Sequence, residues 1–251
     1  MVLESLPRPV IFAHRGASAH APENTLAAFE LALTLQADAI ELDAKLSADA
    51  CVVVHHDTTI ERTTNGKGKV KDLSLAELKK LDAGSSFSEK FKGEKIPTLE
   101  EVFEAVGKKT LINVELTNYN TPRDHLVEMV CMLVKKHNMQ KRVIFSSFLA
   151  SNLSKARSYL PEVPRGLLAL RGLLGAWARS FGFAFGNYEA LHPHLTDMTQ
   201  QQSGRVHRLN RRVHVWTVNN EQDMRRLFNW GVDGIFTDDP QLAVRVRAES
   251  K

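Results

Sequence analysis

Ala39-Ile-Glu-Leu-Asp-Ala-Lys-Leu46 is followed, after Ser47-Ala-Asp-Ala50, by Cys51-Val-Val-Val-His-His56. The first run mixes Ile40, Leu42 and Ala44 with the intervening Ala39, which reads as a strand buried on both faces. The second run cannot be the next parallel strand, because a parallel crossover takes about a dozen residues. It is therefore expected to fold back as a hairpin partner. A turn centred on Asp49-Ala50 places Asp43 opposite His56, and one centred on Ala48-Asp49 places Glu41 there. Either register projects Glu41, Asp43 and His56 to one side, since alternate residues share a face.

Working outward, seven more apolar runs read as strands: Val10–His14, Thr110–Leu116, Val143–Ser147, Arg165–Ala169, Tyr188–His192, Val213–Val218 and Gly234–Thr237. Helical patterns with recognisable ends lie between most of them. Leu26–Leu35 starts after Asn24, an expected N-cap. Thr98-Leu-Glu-Glu101 is a capping box. A helix opened by Asn220 stops at Gly231, and Pro240 after Asp239 marks a first helical turn. Repeated strand–helix units imply a parallel sheet, and eight strands imply closure. The expectation is a (β/α)8 TIM barrel, and 251 residues match the roughly 250 of that architecture.

We read residues 1–251 as a single barrel domain with a small insertion after the second strand and its hairpin, an inserted subdomain at about 57–109. That stretch holds the turn-rich Thr63–Gly68, a short helix Ser74–Leu81 with its own Ser74-x-x-Glu77 box, and a Gly/Ser/Lys-rich run from Gly84 to Lys95.

Hydrophobic residues at 43% and charged residues at 25% exclude a disordered chain, a collagen and a coiled coil. The two cysteines, Cys51 and Cys131, exclude a disulfide scaffold and a cysteine-rich zinc module, and both are expected as reduced thiols. A net charge of +4 is spread along the chain, which argues against nucleic acid as a partner. The densest basic stretch, Arg205 to His214, reads as a solvated helix face. Without a charged leader ahead of an apolar run, the chain is expected to be cytoplasmic. Gly166–Phe185 is apolar, but Arg171 and Arg179 interrupt it, so stable membrane insertion is not expected. The oligomeric state is not legible.

Functional side chains of such a barrel gather at the C-terminal ends of its strands. Strand one ends His14-Arg15-Gly16. Strand two carries Glu41 and Asp43, and its hairpin returns His56-Asp57. The next barrel strand ends Glu115-Leu116, and the last Thr237-Asp238-Asp239. Buried without a ligand, this set would be costly. Three carboxylates suit a hard divalent ion, Mg²⁺ or Ca²⁺, better than zinc. Arg15 offers a planar fork for a phosphate, and Gly16 lets backbone come close. His125, His137, His207 and His214 have no such company and read as ordinary structural histidines.

These segments make the chain resemble the glycerophosphodiester phosphodiesterase family. The matching stretches are Ala13-His-Arg-Gly16, Pro22-Glu-Asn-Thr25, Glu41-Leu-Asp43, His56-Asp57, Arg62-Thr-Thr-Asn-Gly66, Pro97-Thr-Leu99, Glu115-Leu116, Trp216-Thr-Val-Asn219 and Gly231-Val-Asp-Gly234 with Thr237-Asp238. They run in the family's order over nearly the whole chain. The resemblance implies a (β/α)8 barrel and hydrolysis of a small-molecule glycerophosphodiester to glycerol 3-phosphate and an alcohol. It implies His14 and His56 as acid–base pair, Glu41, Asp43 and Glu115 on one divalent metal ion, and Arg15 on the phosphate. Two departures stand out. The family usually has a lysine two residues after the last glutamate, where this chain has Thr117, and the hairpin reads Ser47-Ala-Asp-Ala50 rather than Thr-x-Asp-Gly. The alternatives are a lysophospholipase D-like or other enzyme cleaving lipid phosphodiesters, and a catalytically inactive phosphoester-binding barrel. The apolar stretch Leu167–Phe185 bears on the first: it reads as an ordinary barrel helix with core aromatics, or as a lipid-facing rim.

Overall fold

The computed structural model describes Leu3 and residues 6–250. Its strands are β1 (Val10–Ala13), β2 (Ala39–Leu46), β3 (Val52–Val54), β4 (Leu111–Leu116), β5 (Val143–Ser147), β6 (Arg165–Ala169), β7 (Ala190–Pro193), β8 (Arg212–Val215) and β9 (Gly234–Thr237). All but β3 form a parallel barrel, closed by β9 on β1 and β1 on β2. The helices are α1 (Leu26–Thr34), α2 (Leu75–Leu78), α3 (Leu99–Val106), α4 (Leu126–Lys136), α5 (Ala150–Tyr159), α6 (Phe181–Phe185), α7 (Gln200–Arg208), α8 (Glu221–Asn229) and α9 (Pro240–Glu249). The eight-strand expectation holds, although β7 starts two residues later and β8 ends three earlier than the apolar runs suggested.

The pleat sorts each strand into two sets. Ile40, Leu42 and Ala44 of β2, with Ile112, Val114 and Leu116 of β4, join a layer packed against helices. Their neighbours point inward, and at the barrel floor Val10, Phe12, Ala39, Leu111, Ile144 and Phe236 form a separate cluster. Phe12 and Phe236 stack there with ring centroids 4.6 Å apart, and each fully buried aromatic of this size contributes about 1.5–3 kcal/mol. Along the same inward column the residues turn polar: Ala39 gives way to Glu41, Asp43 and Lys45, and Leu111 to Asn113, Glu115 and Thr117. The floor is thus apolar and the mouth is charged.

The helix ends follow the sequence signals with two corrections: α2 stops at Leu78 rather than Leu81, and the cap of α1 shifts by one residue. Thr25, not Asn24, caps α1 by accepting from the Ala28 N–H. Asn24 is in the left-handed region at φ 58°, which asparagine tolerates, and its side chain is used elsewhere. Capping boxes at Ser74/Glu77 and Thr98/Glu101 are formed. Asn220 caps α8, Gly231 follows it at φ 70°, and Asp239 with Pro240 opens α9. The stretch Arg205–His214 is only partly a helix face. Arg205 and Arg208 are exposed on α7, but Arg211 donates to the Phe183 carbonyl and Arg212 begins β8.

The hairpin register is neither of the two expected. Ala44 pairs with Val54 and Leu46 with Val52. Ser47 N–H donates to Cys51 O at 3.0 Å, Ala50 N–H donates to Ser47 O at 3.1 Å, and Ala50 has φ 59°. This is a three-residue loop closed by a left-handed residue, whereas both expectations assumed a two-residue turn. One residue of difference flips facing, so strict pairing would aim His56 away from Glu41 and Asp43. The ladder stops first: after Val54 the chain leaves the strand, and that departure brings His56 to the barrel mouth.

Between β3 and β4 the chain has its own small core of Val53, Ile60, Val70, Leu78, Ala83 and Ile96. Asp82 ties this segment together, accepting from the N–H groups of Gly84, Ser85 and Gly93. Cys51 and Cys131 are free. Among the described residues no helix is long and apolar enough to cross a membrane.

Candidate active site

Glu41, Asp43 and Glu115 come from the inward faces of β2 and β4, where Asp43 is in register with Glu115. One carboxylate oxygen of each lies within 4.8 Å of the others. Glu41 Oε2 accepts the Arg15 backbone N–H at 2.9 Å. Asp43 Oδ2 accepts Asn24 Nδ2 at 2.9 Å and faces Arg15 Nε at 3.3 Å. Glu115 Oε1 accepts the Tyr119 hydroxyl at 2.7 Å. Glu41 Oε1 is buried without a hydrogen-bond partner among the described residues.

Burial is the largest influence on all three carboxyls, and it opposes ionisation. For Asp43 the charges of Arg15, His56 and His14 and the Asn24 hydrogen bond reverse it, leaving Asp43 below the usual range. Glu41 is pushed up by burial and by repulsion from Asp43 and Glu115. Glu115 is raised by burial and Asp43 to about 8. A single arginine does not neutralise three buried acids. An orphaned oxygen and three hard donors fit a divalent cation, so the residues present match the group the sequence implied. A second acidic cluster, Glu100, Glu104 and His137, is half-buried or exposed, and Lys136 already pairs with Glu100, which His137 also contacts at 2.8 Å.

His14 and His56 flank this cradle, and both line the cavity with Arg15, Glu41, Asn113, Glu115, Phe148 and Trp216. Each imidazole is held at Nδ1 by an aspartate: His14 by Asp238 Oδ1 at 2.6 Å, and His56 by Asp57 Oδ1 at 2.7 Å. That pairing leaves each Nε2 for chemistry. Asp238 is fixed by Ser18 Oγ at 3.1 Å and Asn219 Nδ2 at 2.5 Å. Burial alone would raise Asp238, but His14, Asn219 and Ser18 together hold it below the ordinary carboxylate range. Asp57 also accepts Arg62 Nε at 2.6 Å, and Arg62 makes a two-pronged contact with Glu23 at 2.7 and 2.8 Å. Glu23 in turn accepts Arg15 Nη1 at 3.0 Å.

The backbone at Arg15 makes this geometry. Arg15 is left-handed at φ 55° and Gly16 follows at φ 84°. A Cβ on Gly16 would meet Ala28 backbone at 2.7 Å, so only glycine fits, as the sequence suggested.

All six residues singled out from the sequence meet at this mouth: His14, Arg15, Glu41, Asp43, His56 and Glu115. Sequence reasoning passed over Asp238 and Asp57 as orienting groups, and it read Asn24 as a helix cap. It also missed Lys45. The lysine expected after the last glutamate is replaced by Thr117, but Lys45 Nζ donates to both Thr117 O and Thr117 Oγ1 at 3.0 Å. Lys45 stands two residues beyond Asp43 on the same face, in line with Thr117 on the neighbouring strand. Burial lowers its pKa, opposed by the negative field of Asp43, Glu115, Asp57 and Asp124. An ammonium is thus present at the level where Thr117 lacks one, supplied from β2. The pleat was enough to reveal it: Glu41, Asp43 and Lys45 alternate.

The histidines left as structural fall as expected. His214 is buried against His192, with Nδ1 and Nε2 3.1 Å apart. His207 pairs with Asp233 and His137 with Glu100. His125 contacts Glu128 at the surface.

Comparison with known proteins agrees with this geometry. Residues 14–242 match the model of the glycerophosphoryl diester phosphodiesterase family. A glycerophosphodiester phosphodiesterase of Caldanaerobacter subterraneus subsp. tengcongensis is 41% identical over 240 residues, covering 95% of this chain and 98% of that protein. A lysophospholipase D of Homo sapiens is 28% identical over 262 residues, covering 90% and 82%. A phosphodiesterase of Oleispira antarctica, solved in complex with the product sn-glycerol-3-phosphate, superposes with a TM-score of 0.89 at 32% identity, covering 98% of this chain and 99% of that one. Barrel, cradle and alignment converge, and the chain belongs to the glycerophosphoryl diester phosphodiesterase family.

Proposed function

We propose that the chain hydrolyses glycerophosphodiesters to glycerol 3-phosphate and an alcohol, using one divalent ion, Mg²⁺ or Ca²⁺, on Glu41, Asp43 and Glu115. The observation that carries this reading is the convergence of three carboxylate oxygens within 4.8 Å between two imidazoles each fixed at Nδ1 by its own aspartate. When bound, the ion neutralises phosphoryl charge and eases deprotonation of a nearby hydroxyl.

The rest is done by the chain's own side chains. Arg15 lines the cavity and presents a fixed positive charge to the phosphate; its backbone N–H and side chain are already anchored on Glu41 and Glu23. Lys45 adds a second charge from the adjacent strand. His14 Nε2 takes the proton from the glycerol 2-hydroxyl as that oxygen attacks phosphorus, and His56 protonates the departing alcohol. Water then opens the resulting cyclic phosphate with the roles reversed. Asp238 and Asp57 hold the rings and stabilise whichever imidazolium forms. Phe148, Trp216, Leu168 and Phe236 narrow the cavity and exclude bulk water from the charge-bearing end.

Single-turnover measurement with a substrate lacking the 2-hydroxyl tests the internal nucleophile. Loss of turnover is expected, and undiminished turnover would instead assign the attack to water. A panel of glycerophosphodiesters assayed with Mg²⁺, Ca²⁺ or EDTA tests the reaction itself, and activity persisting in EDTA would remove the ion from it.

A further inference from the structure

Among the described residues nine large hydrophobic side chains are exposed, and six of them lie between Leu170 and Phe185. Leu173 is 93% exposed, Leu174 83%, Phe185 85%, Phe181 70% and Trp177 57%. The segment is not loose chain. Phe183 and Ala178 are buried in the main core, and Trp177 lies against Gly182 so closely that a Cβ there would meet the indole at 2.6 Å. Arg179 donates to the carbonyls of Leu170 and Gly172, both at 2.6 Å, and pairs with Asp197 at 3.1 Å. Asp197 also accepts the Gly172 N–H at 2.7 Å. An apolar ridge is therefore pinned to the rim by two polar fasteners, with its greasy face outward. This corrects the expectation of an ordinary barrel helix with core aromatics. Of Trp177, Phe181, Phe183 and Phe185, only Phe183 is buried.

Position and charge say what it faces. The ridge leaves β6 at the strand end where the cavity opens and where Leu168 lines it, and runs down the flank of the barrel until Phe183 meets Arg211 and Tyr188 near the starts of β8 and β7. No acidic residue occurs between Glu162 and Glu189. Arg171 is exposed beside the ridge. Arg205 borders the groove formed with Phe181 and Phe185, and Arg208 is exposed on the same helix. Among the described residues none of these three arginines forms an ion pair. Apolar side chains flanked by unpaired arginines, on an element too short to span a bilayer, match the chemistry of an interface between acyl chains and anionic head groups.

We propose that Leu170–Phe185 is an interfacial docking ridge that lays this flank of the barrel on an anionic lipid bilayer, with the cavity opening beside its Leu170 end. A diester still carrying an acyl chain could then enter the cavity from the lipid surface. The docking stands whether or not the hydrolytic reading is right.

The test is co-sedimentation of the full chain with vesicles of phosphatidylcholine alone and of phosphatidylcholine mixed with phosphatidylglycerol. Trp177 emission is followed in parallel against Trp177→Phe. Wild type is expected to partition to the anionic vesicles with a blue shift that Trp177→Phe lacks. The combined Leu173→Ser, Phe181→Ser and Phe185→Ser variant should lose about tenfold or more in partitioning, as should Arg171→Gln with Arg205→Gln and Arg208→Gln. Turnover of a water-soluble glycerophosphodiester should stay unchanged in both variants, because none of these side chains lines the cavity. Wild type failing to bind either vesicle, or the serine variant binding equally well, overturns the proposal. So does a wild-type dimer in solution that the serine variant turns into monomer without any vesicle binding, since a second copy would then be the occupant. Vesicle binding without turnover of the soluble substrate would sink the hydrolytic reading and leave the docking intact.

Discussion

Lys45→Met isolates one charge at the mouth. Methionine keeps the length and the apolar stem of lysine and removes only the ammonium. In the structure that ammonium is held by two hydrogen bonds of 3.0 Å to Thr117, within the field of Asp43 and Glu115, so its charge is in place before substrate arrives. Loss of one donor from a developing oxyanion costs on the order of 10²–10³ in kcat, about 2.7–4 kcal/mol. We expect Lys45→Met to fall in that range with a smaller change in KM, and thermal unfolding should show a folded protein. The register then supplies a rescue. Ala44 pairs with Leu116, so position 117 is level with position 45, and neighbouring strands are about 4.8 Å apart. A lysine at 117 can cover that distance. Lys45→Met with Thr117→Lys should therefore recover most of the lost kcat. Lys45→Met within about threefold of wild type would refute the reasoning. A deep loss that Thr117→Lys fails to repair, with metal affinity intact, would refute it equally.

Other outcomes follow from the same site. His14→Ala and His56→Ala should each lose about 10²–10⁴ in kcat with the fold intact, as read by steady-state kinetics and circular dichroism; survival within about tenfold contradicts the acid–base assignment. Asp238→Asn replaces the acceptor of the 2.6 Å bond to His14; kcat should drop at least about tenfold in steady-state assays because the ring loses the partner that fixes its orientation. In EDTA, Glu115 is protonated up to about 8 against an ordinary 4.5. A carboxyl raised in the folded state binds its proton more tightly than in the unfolded chain. Stability of the metal-free protein should therefore fall between these two pH values, measured by denaturant titration. Saturating Mg²⁺ or Ca²⁺ should flatten that slope, and a metal-free stability that climbs across the window would contradict the assignment. Gly16→Ala should destabilise by about 1–3 kcal/mol or more, because the left-handed backbone and the Ala28 contact act together.

Much of the fold was legible because eight doubly buried strands punctuated by caps leave little choice of topology. The acids on β2 and β4 were legible for a related reason: carboxylates among aliphatic residues of a buried strand demand a partner. His56 was placed correctly by an incorrect route. A two-residue turn would set His56 opposite Asp43 or Glu41, whereas Ala50 adopts a left-handed conformation that adds one residue, and it was the early end of β3 that brought the ring to the mouth. Asp238 went unassigned because its role depends on a contact with His14 across 224 residues of sequence, whereas Asp57, next to His56, and Lys45, on the alternating face of β2, were within reach of the sequence and were passed over. Asn24 illustrates the same limit: its local signal for a helix cap was good, but Thr25 took that role and Asn24 turned to Asp43. The apolar stretch after β6 stayed open between a core helix and an outward rim because composition does not say which face of a short helix a core will cover.

Arg62 grips Glu23 with two nitrogens and Asp57 with a third. A single guanidinium thereby clamps the first segment of the insertion to the loop after β1, right beside His56. Everything in the insertion beyond that clamp, from Thr63 to the return at Ile96, hangs outside the catalytic geometry. Insertions, deletions or an exchanged module in that stretch should alter which alcohol is welcomed at the entrance while the hydrolytic apparatus keeps its alignment. The barrel is in this sense a fixed engine with an interchangeable doorway, and the hinge post between them is one arginine.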